Sequence, residues 1–225
     1  MDKTAIRDAA TIIVLRNTAT DPAVLMGQRG ASAAFLPGKF VFPGGAVDPN
    51  DAHVPISPLS MLDRQRLTAE SALPADTLAA AAIRELWEET GLILGHPQNW
   101  TDPPQGWRGF AKHGVIPHGG ALQFFFRAVT PQGRPRRFDA RFFLADADAL
   151  TTDADDFSRA EDELSHLQWV PLDQARSFNL PFITKVVLAE LIAHIERGGT
   201  PISVPFFRND DEAHLVTRLD GHSLL

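Results

Sequence analysis

Runs of apolar residues separated by turn-forming residues predict a chain of mixed strands and helices. Residues 9–15 (AATIIVL) form a continuous, β-branched run that is typical of a buried strand. A second apolar run at 23–29 follows an Asp-Pro turn, so the two runs predict a hairpin. By the same pattern, strands are predicted at 92–94, 122–129, 137–145 and 164–170.

Two long segments have helical composition. Residues 76–90 are rich in alanine, leucine and glutamate, with Asp76 as the candidate N-cap and Gly91 as the residue that ends the helix. A second helix is predicted from Pro181 to the glycine pair that begins at Gly198. Strands interspersed with helices favour an α/β protein whose sheet is covered on both faces, and the hairpins make that sheet mixed.

Two further segments are harder to assign from the pattern. Residues of about 46–73 contain a polar loop followed by a short helix, predicted to start with Ser57 as N-cap and to end near residue 71. This segment is expected either to pack near the mouth of the functional site or to be a structural decoration. Residues 200–225 form a C-terminal tail in which the pattern allows a strand at 202–207.

Length and composition narrow the class of protein. The 225 residues, with 44% hydrophobic and 22% charged side chains, predict a single domain spanning 1–225. There is no cysteine, which excludes disulfides and thiolate chemistry and favours a cytoplasmic setting. The net charge of −7 argues against a general nucleic-acid binder, and no apolar run is long enough for a membrane span. The oligomeric state is left open, with a homodimer as one arrangement.

Three glutamates near the end of the 76–90 helix are the first candidates for chemistry. Glu85, Glu88 and Glu89 have the spacing i, i+3 and i+4, which places them on one side of a helix. Like charges so arranged repel each other, whereas a divalent cation such as Mg²⁺ requires hard oxygen ligands of this kind. A solvated acidic face explains the same pattern, so the spacing alone leaves both interpretations open.

The stretch Arg84–Leu92, R-E-L-W-E-E-T-G-L, resembles the second half of the Nudix box of the Nudix hydrolases, whose pattern is G-x5-E-x7-R-E-U-x-E-E-x-G-U with U apolar. Upstream the chain departs from the pattern. Asp76 stands where counting back from Arg84 requires glutamate. The glycine pair Gly44–Gly45 lies about 25 residues too early, which indicates an insertion inside the box.

The resemblance implies an α/β/α sandwich with a mixed sheet and a helical insertion, and it assigns roles to site residues. Glu85, Glu88 and Glu89 would bind Mg²⁺, with Mn²⁺ as an alternative, and Glu85 or a neighbour would also accept a proton from water. The Gly44 carbonyl would be a backbone ligand. Arg84 would orient a carboxylate rather than contact substrate. Many relatives add an acidic residue before the late strand; here that is Glu163, for which a solvated loop charge is the alternative.

The chain is also similar to the branch of this family that includes acyl-CoA diphosphatases. That resemblance implies hydrolysis of CoA or acyl-CoA to adenosine 3′,5′-bisphosphate and (acyl-)phosphopantetheine. The basic candidates for binding substrate are Arg29, Lys39, Arg134, Arg136 and Arg137. The CoA-associated pattern has arginine where this chain has Ala34. Two alternatives stay open: hydrolysis of ADP-ribose or a dinucleotide, and a catalytically silent ligand sensor.

Overall fold

A mixed β-sheet runs through the middle of the molecule. The structure is a computed structural model that describes residues 5–33, 35–209 and 216–219, which contain eleven strands and four α-helices. The strands are β1 (Ile6–Arg16), β2 (Ala23–Arg29), β3 (Phe40–Val41), β4 (Gly44–Ala46), β5 (Gly95–Pro97), β6 (Val115–Pro117), β7 (Gln123–Val129), β8 (Arg137–Asp146), β9 (Leu164–Pro171), β10 (Val204–Phe207) and β11 (Val216–Leu219). The helices are α1 (Met61–Thr68), α2 (Ala75–Thr90), α3 (Arg108–Ala111) and α4 (Phe182–Arg197).

Nine of these strands form the main sheet, in the order β11-β10-β7-β8-β1-β2-β3, with β4 also paired to β1 and β9 to β2. The β1–β8 and β7–β10 pairs are parallel, and the other pairs are antiparallel. The small β5–β6 hairpin is separate from this sheet. The prediction of a mixed sheet is therefore confirmed.

Both faces of the main sheet are covered by helices. Successive side chains of a strand point to opposite faces. In β1, Ile12 and Val14 accordingly belong to the core beneath α2, whereas Ile13 and Leu15 belong to the core beneath α4. This is the predicted layered α/β architecture.

The predicted strands at 9–15, 23–29, 122–129, 137–145 and 164–170 are all present, with small changes at their ends. The strand predicted at 92–94 is wrong. These residues are fully buried but irregular, because their backbone groups bond to loops: the carbonyl of Ile93 accepts from the Thr151 amide at 2.8 Å. An apolar run predicts that its residues are buried, and residues 92–94 are buried without pairing as a strand.

The segment predicted as an insertion, 46–73, forms a 3-10 helix, Pro49–His53, followed by α1. Helix α1 is shorter than predicted and its N-cap is Ser60, not Ser57. The reason is local: the Ser60 hydroxyl accepts from the Asp63 amide at 3.0 Å and donates to the Asp63 carboxylate at 2.6 Å. The other Asp63 oxygen accepts from the amide of Phe124 in β7. The helix of the insertion therefore packs against the sheet.

Helix α2 begins one residue earlier than predicted, with Pro74 at the N-cap. Asp76 does not cap it. Its carboxylate instead pairs with Arg64 of α1 at 2.7 Å, and both side chains are two-fifths or more exposed. Gly91 ends the helix in the left-handed conformation, φ 73°, as its position predicts.

The C-terminal part also follows the pattern in outline. Helix α4 ends at Gly198 as predicted, and β10 lies within the 202–207 segment. Strand β11 was not predicted, and residues 210–215 and 220–225 of the tail lie outside the described residues. Within the described residues, none of the helices is both long and apolar enough to cross a membrane.

Candidate active site

The last turns of α2 face the glycine turn, Gly44–Gly45, with which β4 begins. Helix periodicity places Glu85, Glu88 and Glu89 side by side on this face. Glu85 and Glu89 are buried, whereas Glu88 keeps a quarter of its side chain in solvent. The Gly44 amide donates to Glu89 at 2.8 Å. A Cβ at Gly45 would lie 2.6 Å from the Glu85 carboxylate, so only glycine permits this approach.

Arg84 lies at the centre of the cluster and is itself 92% buried. One of its terminal nitrogens donates to both Glu85 and Glu88 at 2.8 Å. The opposite side of the guanidinium donates to both oxygens of Asp51, at 2.9 and 3.2 Å, and to the Ala46 carbonyl. With its donors engaged in this way, Arg84 orients carboxylates and is not presented to solvent.

Asp51 is the site residue that the sequence interpretation missed. It lies in the 3-10 helix Pro49–His53, and its side chain is fully buried against Arg84. It also stands six residues after Gly45, which is the G-x5-E spacing of the box with aspartate in place of glutamate. The earlier assignment of that position to Asp76 is therefore corrected: the insertion follows the box acid instead of preceding it.

The electrostatics of the cluster favour protonation of the carboxyl groups. Burial, supported by the charge of Glu88 and opposed by Arg84, raises the pKa of Glu85 to about 7. Burial also raises the pKa of Glu88, against the effect of Arg84. Burial and the neighbouring Glu85 raise the pKa of Glu89 well above its ordinary value. The three carboxylates carry more negative charge than the Arg84 guanidinium neutralises, and a bound cation would supply the missing positive charge.

The chemistry of these donors fits a divalent cation. One oxygen of Glu89 is buried and has no hydrogen-bond partner among the described residues, an arrangement that costs free energy without a ligand. All three side chains offer the hard oxygens that Mg²⁺ prefers. In the described part of the chain, no three His, Asp or Glu side chains converge closely enough to enclose an ion on their own. Arg84 draws Glu85 and Glu88 towards itself instead.

Glu163 lies beside this cluster, in the loop before β9. Its carboxylate accepts from Arg29 at 3.0 Å and is more than half exposed. The negative charge of Glu163 also raises the pKa values of Glu85 and Glu89, although burial and the charges of other groups contribute more. The amide of Glu161, in the same loop, donates to the Glu88 carbonyl at 2.9 Å, so the structure places this loop against the end of α2 and Glu163 within electrostatic range of its glutamates.

The other basic candidates are spread out. Lys39 donates to the side chain of Asn179 at 2.6 Å. Arg137 donates to the Thr130 carbonyl at 3.1 Å, and Arg134 and Arg136 are exposed on the loop between β7 and β8. In the sheet register, Arg137 pairs with Ile6, while Gly44 and Gly45 pair with residues four to five positions further along β1, about 13–17 Å away. Of the five predicted substrate-binding residues, only Arg29 is shown in range of the carboxylates.

Comparison with known proteins identifies the family. Residues 6–191 match the sequence model of the NUDIX domain. The chain belongs to the NUDIX family. The Nudix box is thus split in this chain between Gly45–Asp51 and Arg84–Leu92, with the insertion in between.

Two curated relatives are similar to the NUDIX chain over part of their length. A Caenorhabditis elegans protein provisionally named nudix hydrolase 7 is 27% identical over the matched region, which covers 73% of this chain and 51% of the relative. The acyl-coenzyme A diphosphatase NUDT19 of Xenopus laevis is 25% identical over the matched region, which covers 71% of this chain and 59% of the relative. The chain thus spans between half and three fifths of the length of these relatives.

A solved structure shares the fold. The crystal structure of a NUDIX hydrolase from Alicyclobacillus acidocaldarius superposes with a TM-score of 0.65 and 29% sequence identity. The match covers 85% of this chain and 93% of that one. The layered α/β architecture is therefore that of a NUDIX hydrolase.

Proposed function

We propose that this protein hydrolyses the phosphoanhydride of a nucleoside diphosphate linked to another moiety. Members of the NUDIX family act on pyrophosphate bonds. The observation that carries the proposal is the face that Glu85, Glu88 and Glu89 form at the end of α2. Arg84 holds Glu85 and Glu88 there, and Glu89 adds a buried oxygen with no hydrogen-bond partner in the described residues. Such a face suits a cation-assisted hydrolase better than a solvated acidic surface.

In this proposal the three glutamates and the Gly44 carbonyl hold Mg²⁺, with Mn²⁺ as an alternative. A bound divalent cation supplies neutralisation of the diphosphate charge and a lower pKa for its water. The chain itself does the positioning. Arg84, fixed by Asp51, sets the carboxylates of Glu85 and Glu88, and Glu85 or a neighbour accepts the proton of the attacking water.

Within this substrate class we favour CoA or acyl-CoA, cleaved to adenosine 3′,5′-bisphosphate and (acyl-)phosphopantetheine. The similarity to an acyl-coenzyme A diphosphatase supports this choice. CoA also carries a 3′-phosphate on its ribose, and in this proposal the exposed Arg134 and Arg136 bind it. Ala34, which replaces the arginine of the CoA-associated pattern, favours the alternative of ADP-ribose or a dinucleotide.

The substrate is tested by incubating the purified protein and Mg²⁺ with CoA, dephospho-CoA, ADP-ribose and NADH, and separating the products by chromatography. We expect CoA to be cleaved with the highest kcat/KM. Arg134→Ala with Arg136→Ala should raise KM for CoA and leave KM for dephospho-CoA, which lacks the 3′-phosphate, unchanged. Consumption of ADP-ribose while CoA stays intact would remove the CoA assignment and leave the general one.

The catalytic assignment is tested by Glu88→Gln together with Glu89→Gln. Both changes keep the shape of the side chains and remove their charges. We expect turnover of the best substrate to fall by at least about 100-fold, with an unchanged circular dichroism spectrum. Undiminished turnover in this variant would refute the assignment. A wild-type protein that binds these nucleotides without cleaving any of them would instead be a ligand sensor.

A further inference from the structure

Arg29, the last residue of β2, makes two directed side-chain contacts. Its Nε donates to the Phe35 carbonyl at 3.0 Å, and one terminal nitrogen donates to Glu163 at 3.0 Å. Because a guanidinium is planar, fixing one edge on a carbonyl sets the direction of the other donors. The contact with Phe35 therefore aims Arg29 at Glu163.

The backbone around this pair is well defined. Arg29 pairs with Leu164 in the β2–β9 ladder, and Glu163 is the residue directly before Leu164 in the chain. The amide of Arg29 donates to the Lys39 carbonyl at 2.9 Å, and the Arg29 carbonyl accepts from the Gly38 amide at 3.1 Å. These bonds close the 30–38 loop at its base. The Arg29 side chain is less than one-fifth exposed, whereas Glu163 is 56% exposed.

Without a contact that holds it, the Glu163 carboxylate is expected to move away from the site. Its charge is of the same sign as those of Glu85 and Glu89, which lie within its electrostatic range. It has solvent on its other side, and a carboxylate gains hydration by moving there. Arg29 is the cation whose contact opposes this movement.

We propose that Arg29 is a positioning residue, which holds Glu163 towards the carboxylate face of α2 so that Glu163 contributes to cation binding there. The inference rests on the proposed function, and it replaces the sequence-based expectation that Arg29 binds a phosphate of the substrate. Two of the nitrogens that would donate to a phosphate, Nε and one terminal nitrogen, are directed at the Phe35 carbonyl and the Glu163 carboxylate.

The test is a double-mutant cycle with two measurements on each variant. Mn²⁺ affinity without substrate is measured by electron paramagnetic resonance, and kcat and KM are determined separately. The variants are Arg29→Gln, Glu163→Gln and the double change. We expect each single change to weaken Mn²⁺ affinity by about 10-fold and to lower kcat with little change in KM. The double variant should be no weaker than Glu163→Gln alone, since Arg29 acts through that residue. Arg29→Lys keeps the charge without the planar fork and should recover part of the loss.

Arg16→Gln is the matched control. Arg16 ends β1 and pairs with Asp155 in another partly exposed ion pair, at 2.8 Å, so its loss should leave Mn²⁺ affinity and kcat unchanged. Both exposed pairs contribute little to folding, and all variants should unfold at the same temperature as the wild type.

Three results would overturn the inference. The first is an Arg29→Gln variant with wild-type Mn²⁺ affinity and a raised KM, which would make Arg29 a substrate ligand. The second is a double variant whose losses are additive, which would make the two residues independent. The third is wild-type Mn²⁺ binding by Glu163→Gln while Glu89→Gln loses it. In that last case the proposed function stands, because it depends on the glutamates of α2.

Discussion

Replacing Asp51 with alanine tests which aspartate supports the arginine of the Nudix box. Asp51 accepts two hydrogen bonds from Arg84, and the side chains are 0% and 10% exposed. The change removes both bonds and leaves a buried guanidinium with the carboxylates of Glu85 and Glu88 and one carbonyl. Arg84 then lacks the carboxylate that fixes its far side, so it holds the two glutamates less firmly.

The size of the effect follows from burial. Breaking one partner out of a buried ion pair costs about 3–5 kcal/mol. Because Arg84 keeps its other partners, we expect the lower end, about 3 kcal/mol. For a chain of this length that corresponds to a fall of roughly 6–12 °C in the melting temperature. Turnover should fall as well, since the carboxylates of Glu85 and Glu88 are no longer held in place.

Asp76→Ala is the control, because Asp76 is the aspartate that counting back from Arg84 suggests. Its pair with Arg64 is partly exposed, with 40% and 44% of the side chains in solvent. Exposed pairs of this kind contribute about 0–1 kcal/mol, so Asp76→Ala should leave stability and turnover nearly unchanged.

The assay is urea unfolding followed by circular dichroism, with the slopes compared to check that both variants unfold like the wild type. Turnover of the best substrate is measured on the same preparations. A larger loss of free energy or activity in Asp76→Ala than in Asp51→Ala would contradict the assignment of Asp51. So would an Asp51→Ala variant whose free energy of unfolding falls by less than about 1 kcal/mol, because the buried pair would then contribute no more than an exposed one.

Two further changes probe the glycine turn and the buried charges of the sheet. Gly45→Ala places a Cβ 2.6 Å from the Glu85 carboxylate. We expect kcat to fall by about 10- to 100-fold with an unchanged circular dichroism spectrum. Full activity would show that Glu85 can shift at no cost. Asp139→Ala removes a partner of both Arg127 and Arg141, whose side chains are 6% and 2% exposed; we expect a loss of about 3–5 kcal/mol in urea unfolding, and a neutral result would mean that these arginines find other partners.

Much of the fold follows from local pattern. The apolar run of β2 has the same bounds in sequence and structure, because an Asp-Pro turn precedes it and its side chains are packed on both faces. The spacing of Glu85, Glu88 and Glu89 was enough to place them on one face of α2, since helix geometry alone decides this. Gly91 ended the helix as expected, because only a residue that tolerates positive φ continues the chain there.

Other features depend on contacts distant in sequence. Asp51 and Arg84 are 33 positions apart, and the insertion between them hides the spacing of the box unless it is counted forward from Gly45. The residues 92–94 are as apolar as a strand, but their partners are loops that no local pattern specifies. Arg29 was predicted as a substrate-binding residue, whereas its contact with Glu163 depends on the register of β2 against β9, which no local pattern specifies.

The parallel pairing of β1 with β8 has a consequence for how the newly made chain folds. Asp8 and Arg141, which are joined across this pair, are 133 positions apart. At a synthesis rate of about 5–20 residues per second, the first strand waits on the order of ten seconds for its neighbour to emerge from the ribosome. During that time one edge of the apolar run at 9–15 is open to pairing with other chains. Expression at low temperature or with added chaperones should therefore raise the soluble yield.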